Sequence, residues 1–234
     1  MMLPLAAAVI ASYLLGSIPA AFIAGKSQGI DLRKHGSGNL GATNVMRVLG
    51  TKIGLLVFAF DMAKGALPVL LFPVLLAGSA WPSRDPAISG IICGIAAIIG
   101  HVRPVYLNFG RGGKGVATAA GVFLALAPVQ TLLTLLIFAV VLLSSGYVSL
   151  GSLLSAVMLP VLLAITVGMR SPVFVISVVV ALFVFWTHRA NIARLRDGEE
   201  HRFGKRGVQA KRTAATVAIV LAIAMATLLA ARFS

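Results

Sequence analysis

The sequence predicts an all-α polytopic membrane protein: a seven-helix transmembrane bundle followed by an eighth, C-terminal helix. Of its 234 residues, 59% are hydrophobic and 11% charged, whereas a soluble domain carries about 25% charged residues. Residues 1–25 and 115–169 contain no charged side chain. Because a helical span needs about 20 mostly apolar residues, these stretches alone require three or more spans. We find no internal repeat or linker, so a single transmembrane domain, 1–234, is expected.

Apolar segments separated by polar or turn-forming residues mark the predicted helices. They lie at about 3–25, 53–78, 86–100, 116–127, 130–144, 151–168, 173–187 and 213–231. Pro128-Val129-Gln130 and Ser144-Ser145-Gly146 are turn signals that divide the long uncharged stretch into three helices. The segment 116–127 is short for a span, and the alternative merges it with 130–144 around a re-entrant piece. No Lys or Arg precedes the first segment, which favours an uncleaved span over a signal peptide.

The basic residues lie mainly in three loops, and this distribution predicts the orientation. The chain has 20 Lys and Arg against 6 Asp and Glu; five of the cations lie in 26–52, three in 103–114 and eight in 189–212. Cytoplasmic loops of membrane proteins carry such an excess. These loops are therefore predicted to be cytoplasmic, with the N-terminus outside. The excess needs no nucleic-acid partner, and attraction of anionic substrates is a secondary contribution.

The first basic loop, GSGNLGATNVMR at 36–47, is a candidate anion-binding site. Its glycines allow tight turns with exposed N–H groups, and Arg47 supplies a charge suited to phosphate. A flexible polar loop with a helix cap at Thr43 or Asn44 is the alternative.

The second basic loop places Lys114 after Gly112 and Gly113, at the expected start of a helix. Exposed N–H groups, the helix dipole and an ammonium would converge there on an anion. The loop is not a Walker A motif, because Asn108 and Gly115 stand where that motif needs Gly and Ser or Thr. An ATPase is therefore not expected.

Two further polar features accompany these loops. His188 and Asn191 are three residues apart, so they share a helix face where the seventh segment leaves the membrane. Asp61 and Lys64 interrupt the second segment. Charges inside a span are functional by default, but a pair on the helix surface near the cytoplasmic end explains them equally well.

The segments GSGNLGATNVMR, GH–PV–F–GGKGVAT and HR–NI–RL–G–EHRFG, in this order between apolar spans, resemble the acyl-phosphate-dependent glycerol-3-phosphate acyltransferase family of bacterial inner membranes. The resemblance runs from about residue 10 to 204. It implies seven transmembrane helices with an active site facing the cytoplasm. It also implies transfer of a fatty acyl group from acyl phosphate to the sn-1 hydroxyl of glycerol 3-phosphate. The products are lysophosphatidic acid and inorganic phosphate, in the first step of phospholipid synthesis.

The resemblance also implies the site residues. Catalytic roles fall on Ser37, Lys114, His188 and Asn191, substrate binding on Arg47, Asn44, Gly112, Gly113 and Ser149, and a structural role on Glu200. The chain departs from the family twice. The loop between His101 and the Gly-Gly-Lys is one residue longer, with Arg111 where Lys is common, and the apolar segment 213–231 extends beyond the family's usual end.

The chemistry of the residues fits direct acyl transfer with no metal and no cofactor. The general base is either His188 or the phosphate of the acyl donor. Cys93 lies inside a span, and no Asp-His relay accompanies Ser37 or Ser149, so a covalent acyl-enzyme is disfavoured. None of the four histidines is followed five positions later by Asp, the pattern of acyltransferases that use acyl-CoA or acyl-carrier protein.

Two rival functions fit the sequence less well. An organic-anion transporter would place its binding groups near the bilayer midplane, often in repeated halves, and a phosphatidyltransferase would need an acidic metal cluster. The expected partners are acyl phosphate, glycerol 3-phosphate and membrane lipids, with the enzyme that forms acyl phosphate as a candidate protein partner.

Overall fold

The computed structural model describes residues 3–76 and 86–203, and all regular elements in these ranges are helical. The helices are α1 (Leu3–Ser17), α2 (Ala20–Ser27), α3 (Ala42–Leu49), α4 (Thr51–Leu76), α5 (Pro86–Val102), α6 (Val116–Leu126), α7 (Pro128–Ser145), α8 (Val148–Thr166), α9 (Pro172–Thr187) and α10 (Arg189–Arg196). Short 3-10 turns lie at Leu32–Lys34 and Val105–Leu107. The predicted helix at 213–231 lies outside the described residues.

Within the described ranges, five helical segments are long and apolar enough to cross a membrane. They are Pro4–Ser27, Thr51–Leu75, Ala87–Leu107, Pro128–Ser145 and Val148–Thr166. The pair α9 and α10, bent by 60°, makes a sixth if it counts as one span, whereas α6 is a shorter apolar helix. These segments confirm the all-helical architecture with several helices able to span a membrane, and the count of seven spans stays a prediction.

Three local expectations are wrong. The first span is not one helix, because the chain leaves helical geometry at Ile18 and Pro19; a proline disfavours helix at the residue before it and offers no N–H to continue it. Helix α3 begins at Ala42 after Gly41, so neither Thr43 nor Asn44 is its cap. Ser149, which precedes the predicted helical segment 151–168, lies in the first turn of α8.

The chain divides into two compact units, Met1–Leu126 and Ala127–Ser234. In the first unit, α1 packs on α5 and α4 packs on α6 through close backbone contacts. Gly16 lies against Ala97, and Gly65 lies against the backbone of Thr118. Small residues allow such approaches between helices in a membrane, where packing replaces the hydrophobic effect.

In the second unit, α8 packs against both α7 and α9. The ring of Phe138 on α7 lies over Gly151 on α8, where a side chain would crowd it. Helix α10 follows α9 directly after His188, at which the chain bends. This bend places polar residues of α10 beyond the apolar part of α9.

Candidate active site

Asn44 holds the first basic loop together. Its side chain is 1% exposed, and its Oδ1 accepts the N–H of Ser37 at 2.8 Å. Its Nδ2 donates to the carbonyls of Leu32 at 3.2 Å and His35 at 3.1 Å. Gly36, with φ +61°, lies directly against this amide, where a Cβ would overlap Oδ1. The amide of Asn44 therefore closes the loop and leaves Ser37 exposed at its surface.

An ion pair shapes the start of the same loop. Asp31 accepts hydrogen bonds from the side chain of Arg33 at 2.9 and 3.0 Å and from its backbone N–H at 3.1 Å. The Arg33 side chain is the main cause that lowers the pKa of Asp31 to about 2. A carboxylate with so low a pKa is a poor general base near neutral pH.

The second basic loop is bound to the end of α5. Gly112 donates its N–H to the carbonyl of Val102 at 3.0 Å, and Gly113 donates to the carbonyl of His101 at 3.3 Å. Both glycines are buried, and a Cβ on either would overlap His101. The expectation that these two N–H groups are exposed for an anion is therefore wrong. The glycines bring the loop close to His101.

Lys114 lies two residues before the start of α6, as the sequence predicted. Gly115 between them has φ +84°, which favours glycine. Lys114 is partly buried, as is Arg47 on α3. The two basic loops also touch, because Nδ2 of Asn39 donates to the carbonyl of Gly112 at 3.4 Å, a contact that sequence reasoning missed.

Asp61 and Lys64 form a buried ion pair. Their side chains are each 2% exposed, and the Lys64 Nζ lies 2.8 Å from Asp61 Oδ1. The same Oδ1 lies 3.5 Å from Nδ1 of His101. A pair on the helix surface, one of the two interpretations from the sequence, is therefore wrong.

In the second unit, the carboxylate of Glu200 gathers three side chains. Its Oε1 accepts hydrogen bonds from Ser149 at 2.8 Å and Asn191 at 2.6 Å, and its Oε2 accepts from Arg194 at 2.7 Å. Burial alone raises the pKa of Glu200, but these hydrogen bonds together lower it below its ordinary value. Three predicted site residues thus lie in one network, to which the structure adds Arg194.

His188 is buried at the bend between α9 and α10, with 3% of its surface exposed. Its Nδ1 lies 2.8 Å from the carbonyl oxygen of Val184. Because a carbonyl only accepts, the contact places a proton on Nδ1, and in the neutral ring Nε2 is then the acceptor. This tautomer is the one that a general base acting through Nε2 requires.

No group of three or more His, Cys, Asp or Glu side chains that could hold a metal ion occurs in residues 3–76 and 86–203. The chain offers hydroxyls, amides, cations and an imidazole, which suit binding of anions and proton transfer. Apolar helices that carry such groups at their ends and in the adjoining loops are typical of an integral membrane protein that acts on polar or anionic molecules.

Comparison with known proteins identifies the class of enzyme as an acyltransferase and gives its family. A family model described as glycerol-3-phosphate acyltransferase matches residues 6–198. Glycerol-3-phosphate acyltransferase of Geotalea daltonii is 42% identical over 195 residues, covering 83% of this chain and 95% of the relative. That of Prochlorococcus marinus is 45% identical over 200 residues, covering 83% and 92%. The chain belongs to the glycerol-3-phosphate acyltransferase family.

Solved structures agree with this assignment. The crystal structure of PlsY, an integral membrane glycerol 3-phosphate acyltransferase, in its glycerol 3-phosphate form has a TM-score of 0.75 and 40% identity, covering 86% of this chain and 96% of that one. A lysophosphatidic acid form has a TM-score of 0.71 and 39% identity, with 86% and 95% covered.

Proposed function

We propose that this chain transfers a fatty acyl group from acyl phosphate to the sn-1 hydroxyl of glycerol 3-phosphate. The products are lysophosphatidic acid and inorganic phosphate. The observation that carries the proposal is the similarity, over most of both chains, to a solved acyltransferase in forms named for glycerol 3-phosphate and for lysophosphatidic acid. In this reaction the hydroxyl oxygen attacks the acyl carbonyl carbon, the bond from that carbon to the phosphate oxygen breaks, and phosphate leaves.

Anion binding falls to the basic loops of the first unit. Both substrates carry phosphate, and Arg47 offers a planar guanidinium that pairs with phosphate oxygens. Lys114 adds an ammonium two residues before the start of α6, whose N-terminal N–H groups and dipole favour negative charge. Ser37, exposed on the loop that Asn44 closes, is a candidate hydroxyl donor to a substrate oxygen.

We propose that the buried glycines and Asn44 affect substrate binding indirectly, because they fix the backbone of the two basic loops. Gly112 and Gly113 hold the loop against α5, and Asn44 uses both amide hydrogens within the first loop. In our proposal these residues order the loops that carry Ser37, Arg47 and Lys114. Their contribution to substrate affinity is therefore indirect.

The hydroxyl proton has two candidate acceptors. His188 is oriented for proton transfer at Nε2 by the contact of its Nδ1 with Val184, whereas the leaving phosphate of the donor can take the proton itself. Asp31 has a pKa of about 2, and Glu200 accepts hydrogen bonds from three donors. Neither of these two carboxylates is the base in our proposal.

Asn191 and Ser149 accompany His188 in the second unit. The hydrogen bonds to Glu200 fix the side chains of both residues. We assign Glu200 a structural role, as the acceptor that orders this set, and we assign Asn191 and Ser149 polar contacts to substrate from fixed positions. Because the Ser149 O–H donates to Glu200, Ser149 contacts substrate in our proposal through its oxygen as an acceptor. Polar groups held in fixed positions favour the transition state.

The topology completes the proposal. We propose one transmembrane domain with seven spans, including α6 and the pair α9–α10, and an eighth span at 213–231. The three basic loops face the cytoplasm by the positive-inside rule, and the membrane is a bacterial inner membrane. The enzyme that forms acyl phosphate is the candidate partner, since its product is the proposed donor.

One assay tests the activity. The purified protein receives palmitoyl phosphate and glycerol 3-phosphate without CoA or metal, and both inorganic phosphate and lysophosphatidic acid are measured. We expect equal amounts of the two products, and no product when palmitoyl-CoA replaces palmitoyl phosphate. Phosphate release that does not depend on glycerol 3-phosphate, or efficient use of palmitoyl-CoA, would contradict the proposed donor.

A further inference from the structure

The buried ion pair of α4 has two separate sets of contacts. Lys64 donates through Nζ to the carbonyl of Ile18 at 2.7 Å, at the break between α1 and α2. Lys64 therefore ties the interrupted first span to α4. Ionisable groups within a membrane span are costly and are functional by default. The contact with Ile18 gives the buried Lys64 a structural role. The role of Asp61 depends on the residue that it contacts besides Lys64.

That neighbour is His101, in the last turn of α5. The Asp61 Oδ1 lies 3.5 Å from Nδ1 of the ring, whose side chain is 5% exposed. The other edge of the ring faces Gly113, where a Cβ would overlap Nε2. The imidazole thus lies between a buried carboxylate and the backbone of the second basic loop.

The ring and the backbone of His101 both contact the loop. The backbone of His101 accepts the N–H of Gly113, and the ring occupies the space that a side chain at Gly113 would fill. Lys114 is the next residue, and the preceding Gly112 accepts the hydrogen bond from Asn39 of the first loop. A shift of the imidazole would therefore move the backbone on which Lys114 is mounted.

We propose that Asp61 is a positioning residue for acyl transfer, which orients the His101 ring and through it the segment Gly112–Lys114. In this proposal Asp61 acts through His101. The inference rests on the proposed function, in which Lys114 binds a substrate phosphate. A misplacement of about 1 Å in a substrate-binding group costs up to about a hundredfold in rate, so the link has a measurable consequence.

The alternative is that the ion pair only joins helices, and two double variants separate these roles. D61L/K64M removes both charges and leaves no unpaired charge in the span, but it gives Nδ1 of His101 an apolar neighbour. D61N/K64M is equally neutral and keeps an oxygen acceptor beside the ring. The two variants have the same net charge and differ in whether an oxygen acceptor lies beside the His101 ring.

We expect D61L/K64M to melt at the same temperature as D61N/K64M in detergent but to lose about tenfold or more in kcat/KM for at least one phosphate substrate. D61N/K64M should recover most of the kcat/KM that D61L/K64M loses. Equal activity in the two variants, whether high or low, would overturn the positioning role. A purely structural pair predicts that equality, because both variants relieve the buried charges alike.

Limited trypsin digestion measures the order of the loop without any assay of activity. We expect cleavage after Arg111 and Lys114 to be faster in D61L/K64M than in D61N/K64M, while cleavage after Lys34 serves as an internal reference. Equal cleavage would overturn the inference even if the activities differ. If the wild-type protein shows no acyl transfer, the proposed function fails, and the digestion still decides whether Asp61 orders the loop.

His101→Ala tests the same proposal by removing the ring through which Asp61 would position the loop. The variant removes the ring and keeps the Asp61–Lys64 pair, so it does not depend on how the double variants fold. We expect the same loss of kcat/KM and the same faster cleavage after Lys114. Wild-type kinetics and wild-type cleavage in this variant would overturn the proposal.

Discussion

In the first unit, the loop before α6 is held mainly by backbone contacts to the end of α5. In the second unit, three side-chain hydrogen bonds to Glu200 add to the backbone contacts that hold the loop after α10. Gly112 and Gly113 donate to carbonyls of α5 and lie against His101. Glu200 instead accepts three side-chain hydrogen bonds. A loop held by glycines is disrupted by added volume, and a loop held by a carboxylate is disrupted by loss of charge.

The strongest test of this comparison removes the cations that the first unit presents. We expect Arg47→Ala and Lys114→Ala each to lower the rate of phosphate release by about a thousandfold, because few cations serve two anionic substrates. The variants should still insert into the membrane and purify. Arg111→Ala, at an exposed position of the same loop, is the matched control, and near-normal turnover in either test variant at saturating substrate would contradict its assignment.

The corresponding test in the second unit is His188→Gln. If His188 is the base, kcat should fall by about a hundredfold or more, and the acidic limb of the pH profile of kcat should disappear. A smaller loss with the acidic limb retained would assign the proton to the phosphate of the donor. His201→Gln, at an exposed position of the same unit, provides a control for the loss of an imidazole.

Gly113→Ala tests how the first unit holds its loop. The added methyl group would overlap the His101 ring, so we expect kcat/KM to fall by roughly ten- to a hundredfold, as for a misplaced binding group. Gly90→Ala on α5 adds the same methyl where the nearest atom is a methyl of Val69 at 3.1 Å, and it should retain activity. Equal behaviour of the two variants would contradict a special requirement at Gly113.

Glu200→Gln tests how the second unit holds its loop. The amide NH2 replaces one carboxylate oxygen and so opposes either Arg194 or the donors Ser149 and Asn191. We therefore expect the free energy of unfolding to fall by about 2 kcal/mol near pH 7, measured by thermal melting in detergent. The pKa of Glu200 is lower in the folded chain than in the unfolded one. Its stabilisation is therefore complete above the unfolded pKa of about 4.3 and is lost as the pH falls through the folded pKa.

The difference in melting temperature between wild type and Glu200→Gln should therefore shrink as the pH falls below about 4. Glu199→Gln, exposed and adjacent, should show no such trend. A constant difference between wild type and Glu200→Gln across the acidic range would contradict the role of the ionised carboxylate.

The sequence predicted what depends on local pattern. Apolar runs predicted the helical spans, and a glycine-rich stretch before an apolar one predicted that Lys114 precedes a helix, as it does before α6. The contacts that organise the site could not be predicted, because they join distant positions: Ser149 and Glu200 are 51 residues apart, and Asn39 and Gly112 are 73 apart. The N–H groups of a glycine-rich loop can donate either to a bound anion or to a backbone carbonyl. The tertiary structure shows that those of Gly112 and Gly113 donate to carbonyls of α5.

The smallest effect on activity is expected from changes outside both the loop before α6 and the hydrogen-bond network of Glu200. Cys93 is fully buried on α5 in a small apolar cluster with Ala8, and it belongs to neither loop. We expect Cys93→Ser to keep its turnover within about twofold, since a buried thiol in apolar surroundings is inert, and we expect EDTA to leave the wild-type rate unchanged. Initial rates of phosphate release measure both effects. A chelated enzyme that recovers only when magnesium is added would show that a metal ion, and not Arg47 and Lys114 alone, neutralises the substrate phosphates.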